Sequence, residues 1–207
     1  MDYDIKAILN KSISFSEYYD EVDQMVKDGK TSGSIQSEAL VNYTRLNFSR
    51  MKRLNKTLVL NPELVELVEK TGIKMHWLII TEAWCGDAAQ NIPYLAKLAE
   101  VASNVDCSLV YRDENPELMA NHLTNGSKSI PKLVVYDDSL EPIASWGPRP
   151  AEVQELVMSY KNQLDPKPNF DEFAASIHKW YTNNKNQMLE QELFAIFRKV
   201  KHQSLAS

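Results

Sequence analysis

Apolar positions divide the chain into a helical start, a middle where strands and helices alternate, and a helical end. Met75 to Thr81 (Met-His-Trp-Leu-Ile-Ile-Thr) is an almost unbroken apolar run, as expected of a strand covered on both faces. A turn at Glu82 to Trp84 leads into a helix predicted from about Cys85 to Val101, followed by a second strand over Val105 to Tyr111. A short helix at Pro116 to Leu123 precedes a predicted hairpin, Lys132 to Tyr136 and Pro142 to Trp146, turning at Asp137-Asp138-Ser139. A helix over Pro150 to Lys161 closes the middle. The order strand, helix, strand, helix, strand, strand, helix implies an α/β fold: a mixed sheet with helices on both faces.

Before this middle, Ser14 with Glu17 three residues on fits a capping box. A helix then runs to about Lys27, with Tyr18, Val22, Met25 and Val26 at helical spacing. Gly29 to Gly33 is a break. A second helix is expected over about Ile35 to Asn55, its apolar stripe being Ile35, Ala39, Tyr43, Leu46, Met51 and Leu54. Asn61 can cap a third helix with Pro62 in its first position, and Gly72 closes it. After the rigid linker Asp165-Pro166-Lys167-Pro168, two more helices are predicted over about Phe170 to Tyr181 and Asn186 to Lys201. Three segments follow: an N-terminal helical extension over 1–56, the α/β domain over 57–164, and a C-terminal helical extension over 165–207.

Composition narrows the function classes. The 207 residues are 43% hydrophobic and 25% charged with a net charge of −5, ordinary globular values that offer nucleic acid no basic footprint. Arg45, Arg50, Lys52, Arg53 and Lys56 cluster toward the end of the second helix. They read first as a solvated face that complements the helix dipole, and second as an anion-binding patch. No apolar stretch approaches the roughly 20 residues needed to span a bilayer, and the acidic start Met1-Asp2-Tyr3-Asp4 argues against a signal peptide. With only two cysteines, a reducing, cytoplasmic setting is expected. His76, His122, His178 and His202 show no ligand spacing alongside the cysteines, so neither a zinc site nor another cofactor is expected. The glycosylation triplets at Asn10, Asn47 and Asn125 read as chance without a secretory signal, and Gly29 to Gly33 lacks the phosphate-loop pattern.

Cys85 carries the chemistry. It stands where a buried strand ends and a helix begins, after Trp84 and before Gly86. Unpaired N–H groups and the positive helix end favour the thiolate, the nucleophile of disulfide chemistry, and Gly86 leaves room for a substrate backbone. The plainer reading is a buried structural cysteine. The string Ala83-Trp84-Cys85-Gly86-Asp87-Ala88 resembles the thioredoxin superfamily. Pro93 stands where that family's active-site helix carries a kinking proline, and Asp113-Glu114-Asn115-Pro116 resembles the turn out of its second core strand. Ser129-Ile130-Pro131-Lys132 resembles the family's cis-proline segment, and Trp146-Gly147 the end of its last strand. The resemblance spans about Thr57 to Lys161, leaves out the outer helices, and implies a thioredoxin-like fold.

It also assigns Cys85 as the reacting thiol, with Trp84, Gly86, Asp87, Ile130 and Pro131 as the substrate-binding set. A cis Pro131 would let an extended peptide or thiol compound pair with Ile130; read without the resemblance, Pro131 is a trans proline opening an edge strand.

Two departures matter. The family's second cysteine falls on Ala88, so no vicinal disulfide can close, and its buried acid falls on Ile79. Glu82 and Asp87 are the nearest acids, and Asp87 would suit the helix dipole yet repel a thiolate. Cys107 lies four residues before Tyr111, ~13 Å back along its strand. A disulfide needs Cα atoms within about 7 Å, so Cys107 reads as a core residue.

The leading expectation is a thioredoxin-like disulfide oxidoreductase, monothiol or weakly active. It would act on a protein disulfide or a low-molecular-weight thiol, with no nucleic acid or membrane partner. The alternative is a non-catalytic binding or adaptor module whose outer helices make a partner or homodimer surface. A glutathione-transferase-like enzyme ranks third, because helices here flank the domain on both sides.

Overall fold

The computed structural model describes residues 3–164, 166 and 169–205, so of the Asp165 to Pro168 linker only Pro166 is included. Along the chain come α1 (Ile5–Leu9), α2 (Phe15–Asp28), α3 (Glu38–Thr57), α4 (Pro62–Glu69), β1 (Met75–Thr81), α5 (Gly86–Val101) and β2 (Val105–Tyr111). These are followed by α6 (Pro116–Asn121), β3 (Lys132–Asp137), β4 (Pro142–Trp146), α7 (Ala151–Asn162), α8 (Phe170–Asn184) and α9 (Gln187–Ser204). The sheet order is β2-β1-β3-β4, with β1 parallel to β2 and antiparallel to β3, and β3 antiparallel to β4. This is the expected thioredoxin-like mixed sheet with additional helices at both ends. Among the described residues, no helix is long and apolar enough to cross a membrane.

Local chemistry sets most boundaries. Ser14 and Glu17 close the capping box of α2, and Gly29 ends that helix in the left-handed region at φ 66°. Asn61 caps α4 with Pro62 at its start. The second predicted helix needs correction. It begins at Glu38 under a Ser37 cap, leaving Ile35 outside and 67% exposed, and Leu46 is half-exposed. Met51 of the predicted stripe is buried, and the rest of the buried face is the polar pair Thr44 and Asn47. Thr44 shares a 2.6 Å hydrogen bond with Thr31, and Asn47 donates to the Ala83 carbonyl at 3.1 Å. Polar groups with partners inside can be buried, so the inward stripe departs from the apolar one. The short α1, capped by Asp4, has no fully buried residue, and its Ile5, Ile8 and Leu9 pack part-buried against the core.

In β1 every residue but His76 is buried, which explains its unbroken apolar run. One core joins the sheet to helices from both ends of the chain: Tyr18 and Val22 of α2, Met51 of α3, and Leu189, Leu193, Phe197 and Val200 of α9. The Trp77 ring stacks on Phe197 with centroids 5.1 Å apart. Ile13 adds an antiparallel bridge to Leu109 on the outer edge of β2. A smaller cluster of Val153, Ile177 and Tyr181 fastens α8 to α7.

Candidate functional site

The end of β1 delivers Cys85 to the N-cap of α5, and the residue is 7% exposed. Its Sγ–H donates to the Ile130 carbonyl at 3.3 Å. The Ile130–Pro131 bond is cis. Gly147, at φ 113°, passes so close that a Cβ there would lie 2.3 Å from the Pro131 oxygen, so only glycine fits the end of β4. Cys85, Trp84, Gly86, Asp87 and Ile130 all border one cavity of 460 Å³. Trp84 carries the Arg112 guanidinium 5.0 Å from its ring centroid.

Burial, and after it the Asp87 charge, push the Cys85 thiol up to about 12. The Ala88 and Asp87 amides and the Arg149 charge act in the opposite direction, but no capping hydrogen bond to the sulfur is closed. Loss of hydration therefore outweighs the helix end, against the thiolate-favouring environment expected from position alone. Asp87 does not stand as a free like charge: Arg149 pairs with it at 2.7 Å and Tyr181 donates to it at 2.8 Å.

Three more residues bear on the site: Glu82, known from the sequence only as a nearby acid, Arg50, known only as one of a cationic cluster, and His178, which no sequence signal placed. Glu82 is fully buried, accepting from the Ser32 hydroxyl and from the Asp113 amide at 2.9 Å. Burial raises its pKa against those bonds. Ser32 in turn accepts from the Ala83 amide at 2.8 Å, so the Gly29 to Gly33 break is fastened to the turn before Cys85. His178 of α8 covers Gly86. A Cβ on Gly86 would lie 3.0 Å from its Cε1, so imidazole fills space expected for a substrate backbone. Burial and then the Arg50 charge lower His178 to about 4, which leaves it neutral at pH 7. Gln90 Nε2 donates to its Nδ1 at 3.2 Å, which places the proton on Nε2. Arg50, one of five cations clustered in the sequence, is the member that reaches the cavity. A lone histidine on a late helix and one arginine among five carry no distinguishing sequence signal.

Cys107 lies level with Trp77, four residues before the Thr81–Tyr111 pair at the end of the strands where Cys85 follows; both thiols are free. Among the described residues, no group of three or more metal-ligating side chains converges.

Residues 33–162 match the sequence profile of a family described as Thioredoxin. No curated protein matches the chain. A protein of unknown function from Pseudomonas aeruginosa is similar in structure at a TM-score of 0.62 and 13% identity, over 95% of this chain and 98% of that one. An HIV epitope scaffold is similar at a TM-score of 0.59 and 14% identity, over 95% and 99%. At such identities the likeness concerns the fold, and it extends over the outer helices.

Proposed function

The chain belongs to the thioredoxin family, and from that premise we propose that it is a slow monothiol exchange protein with Cys85 as its single reacting thiol. The observation that carries this reading is the placement of Cys85 Sγ. It sits between the amino end of α5 and the Ile130 carbonyl, on the wall of an open cavity, with Ala88 where a second thiol would stand. In the proposed step the Cys85 thiol attacks a disulfide R–S–S–R. One S–S bond breaks, the Cys85–S–S–R bond forms, and the displaced thiolate takes up the proton that Cys85 gave up, leaving as RSH. An external thiol then attacks the mixed disulfide and restores Cys85–SH. Trp84 and Ile130 border the reacting sulfur, and Pro131 fixes the backbone beside it.

A thiol at about 12 is ionised only to the order of one part in 10⁵ at pH 7, so exchange is slow at neutrality and gains about tenfold per pH unit. The reducing interior of a cell suits such a thiol. The test is incubation with a small disulfide followed by mass spectrometry. An adduct confined to Cys85, released by added thiol, is expected. Insulin reduction at thioredoxin-like rates would overturn the monothiol assignment. The protonated resting thiol favours a second reading, a binding module that uses the cavity without exchange. Absence of any adduct up to pH 10 selects it.

A further inference from the structure

The cavity has a charge character that the exchange reading does not require. Although the chain is net −5, five cations border the cavity, Arg50, Arg112, Lys128, Arg149 and Lys161, against one carboxylate, Asp87, among the described residues. Asp87 is already matched by Arg149, and Arg112 pairs with Asp113 at 2.8 Å. Arg50 differs. It is half-buried, donates to Asn47 at 2.7 Å, and has no carboxylate within ion-pair distance among the described residues. A half-buried guanidinium without a counter-charge is costly unless something anionic visits it. Beside it stands the neutral His178, whose Nε2–H faces Gly86 and lacks a protein acceptor among the described residues. From the same helix as His178, Phe173 and Ile177 supply apolar lining to the cavity. Two donors, an apolar wall and a thiol match one kind of ligand: a short carbon chain with a carboxylate at one end and sulfur at the other.

We propose that the cavity beside Cys85 selects small carboxylate-bearing thiols and disulfides, with Arg50 and the His178 Nε2–H holding the carboxylate while the sulfur lies against Cys85. The proposal rests on the exchange reading for its sulfur chemistry, but the anion site stands on Arg50, His178 and the cavity walls. Arg50 comes from α3 and His178 from α8, so selectivity is supplied by helices packed around the sheet rather than by the strand–helix turn bearing the thiol.

The test uses three disulfides of similar length: 3,3′-dithiodipropionate (anionic), bis(2-hydroxyethyl) disulfide (neutral) and cystamine (cationic). Cys85 adduct rates are normalised to those of free 2-mercaptoethanol. After normalisation, the anionic disulfide should react at least about tenfold faster than the cationic one, as one charge-assisted contact supplies. Arg50→Gln should remove the preference and Arg50→Lys should keep most of it. In a separate arm, suberate, the all-carbon counterpart of 3,3′-dithiodipropionate, should raise the melting temperature of Cys85→Ser. Suberate stabilisation without any adduct supports the anion site and overturns the exchange reading. Equal adduct rates for all three disulfides, with no effect of suberate, overturn the anion site and leave exchange standing.

Discussion

The two ends of the central strand β1 are built differently. At its amino end, Lys74 and His76 face Asp106 at 3.2 and 3.7 Å, and the Lys74 and Asp106 side chains are more than half exposed. At its carboxyl end the polar contacts are covered. Glu82 holds Ser32, Asn47 donates to the Ala83 carbonyl, and the Asp87–Arg149 pair is 15% exposed on each side. Each end also has a cysteine near it, and burial pushes both thiols up to about 12. Proton affinity therefore does not separate Cys85 from Cys107. The difference lies in the surroundings: Cys85 has a helix end, a carbonyl acceptor and a cationic cavity, whereas burial is the sole cause of the shift at Cys107.

The contrast can be broken most severely at the thiols. Cys85→Ser should abolish adduct formation with small disulfides, while Cys107→Ser should retain it in full, as read by intact-mass spectrometry. Equal losses would erase the distinction between the two ends.

Next in size is the covered ion pair. Asp87→Asn leaves Arg149 without its charge partner and should cost about 3 kcal/mol in urea unfolding. The same change removes a negative charge beside the sulfur, so Cys85 should alkylate faster at pH 7 despite the lower stability. Slower alkylation would show that the Asp87 charge does not hold the thiol up.

A smaller effect belongs to His178. Its folded pKa of about 4 lies below the unfolded value of about 6.5, so the native state prefers the neutral ring. That contribution is complete above pH 6.5 and is lost as pH falls toward 4, an expected loss of about 1–2 kcal/mol after allowance for partial exposure. His178→Gln should flatten this part of the stability profile. Asp106→Asn, at the exposed end, should change stability by less than about 0.5 kcal/mol.

The sequence reported best where one physical rule acted alone. The limits of β1, β2 and β4 followed from apolar runs and turn residues, and the starts of α2 and α4 from their caps. It reported poorly where distant segments satisfy each other. Ile35 and Leu46 fell on the predicted apolar stripe, yet the inward face of α3 is set by Thr31 and Ala83, partners many residues away. The position of Cys85 at the helix start was legible, but its protonation was not. That depends on burial and on the Arg149–Asp87–Tyr181 contacts, which bring α8 and the loop after β4 to the turn. Glu82 stood next to the motif in plain view, and only the Ser32 and Asp113 contacts distinguish it from a surface acid.

The stacking of Trp77 on Phe197 has a consequence for synthesis. Trp77 sits in β1 and is completely shielded from water, yet its ring partner is translated 120 residues later. While the ribosome is still extending the chain toward Phe197, that indole has no aromatic partner, and the nascent sheet presents a greasy face to whatever chaperone is nearby.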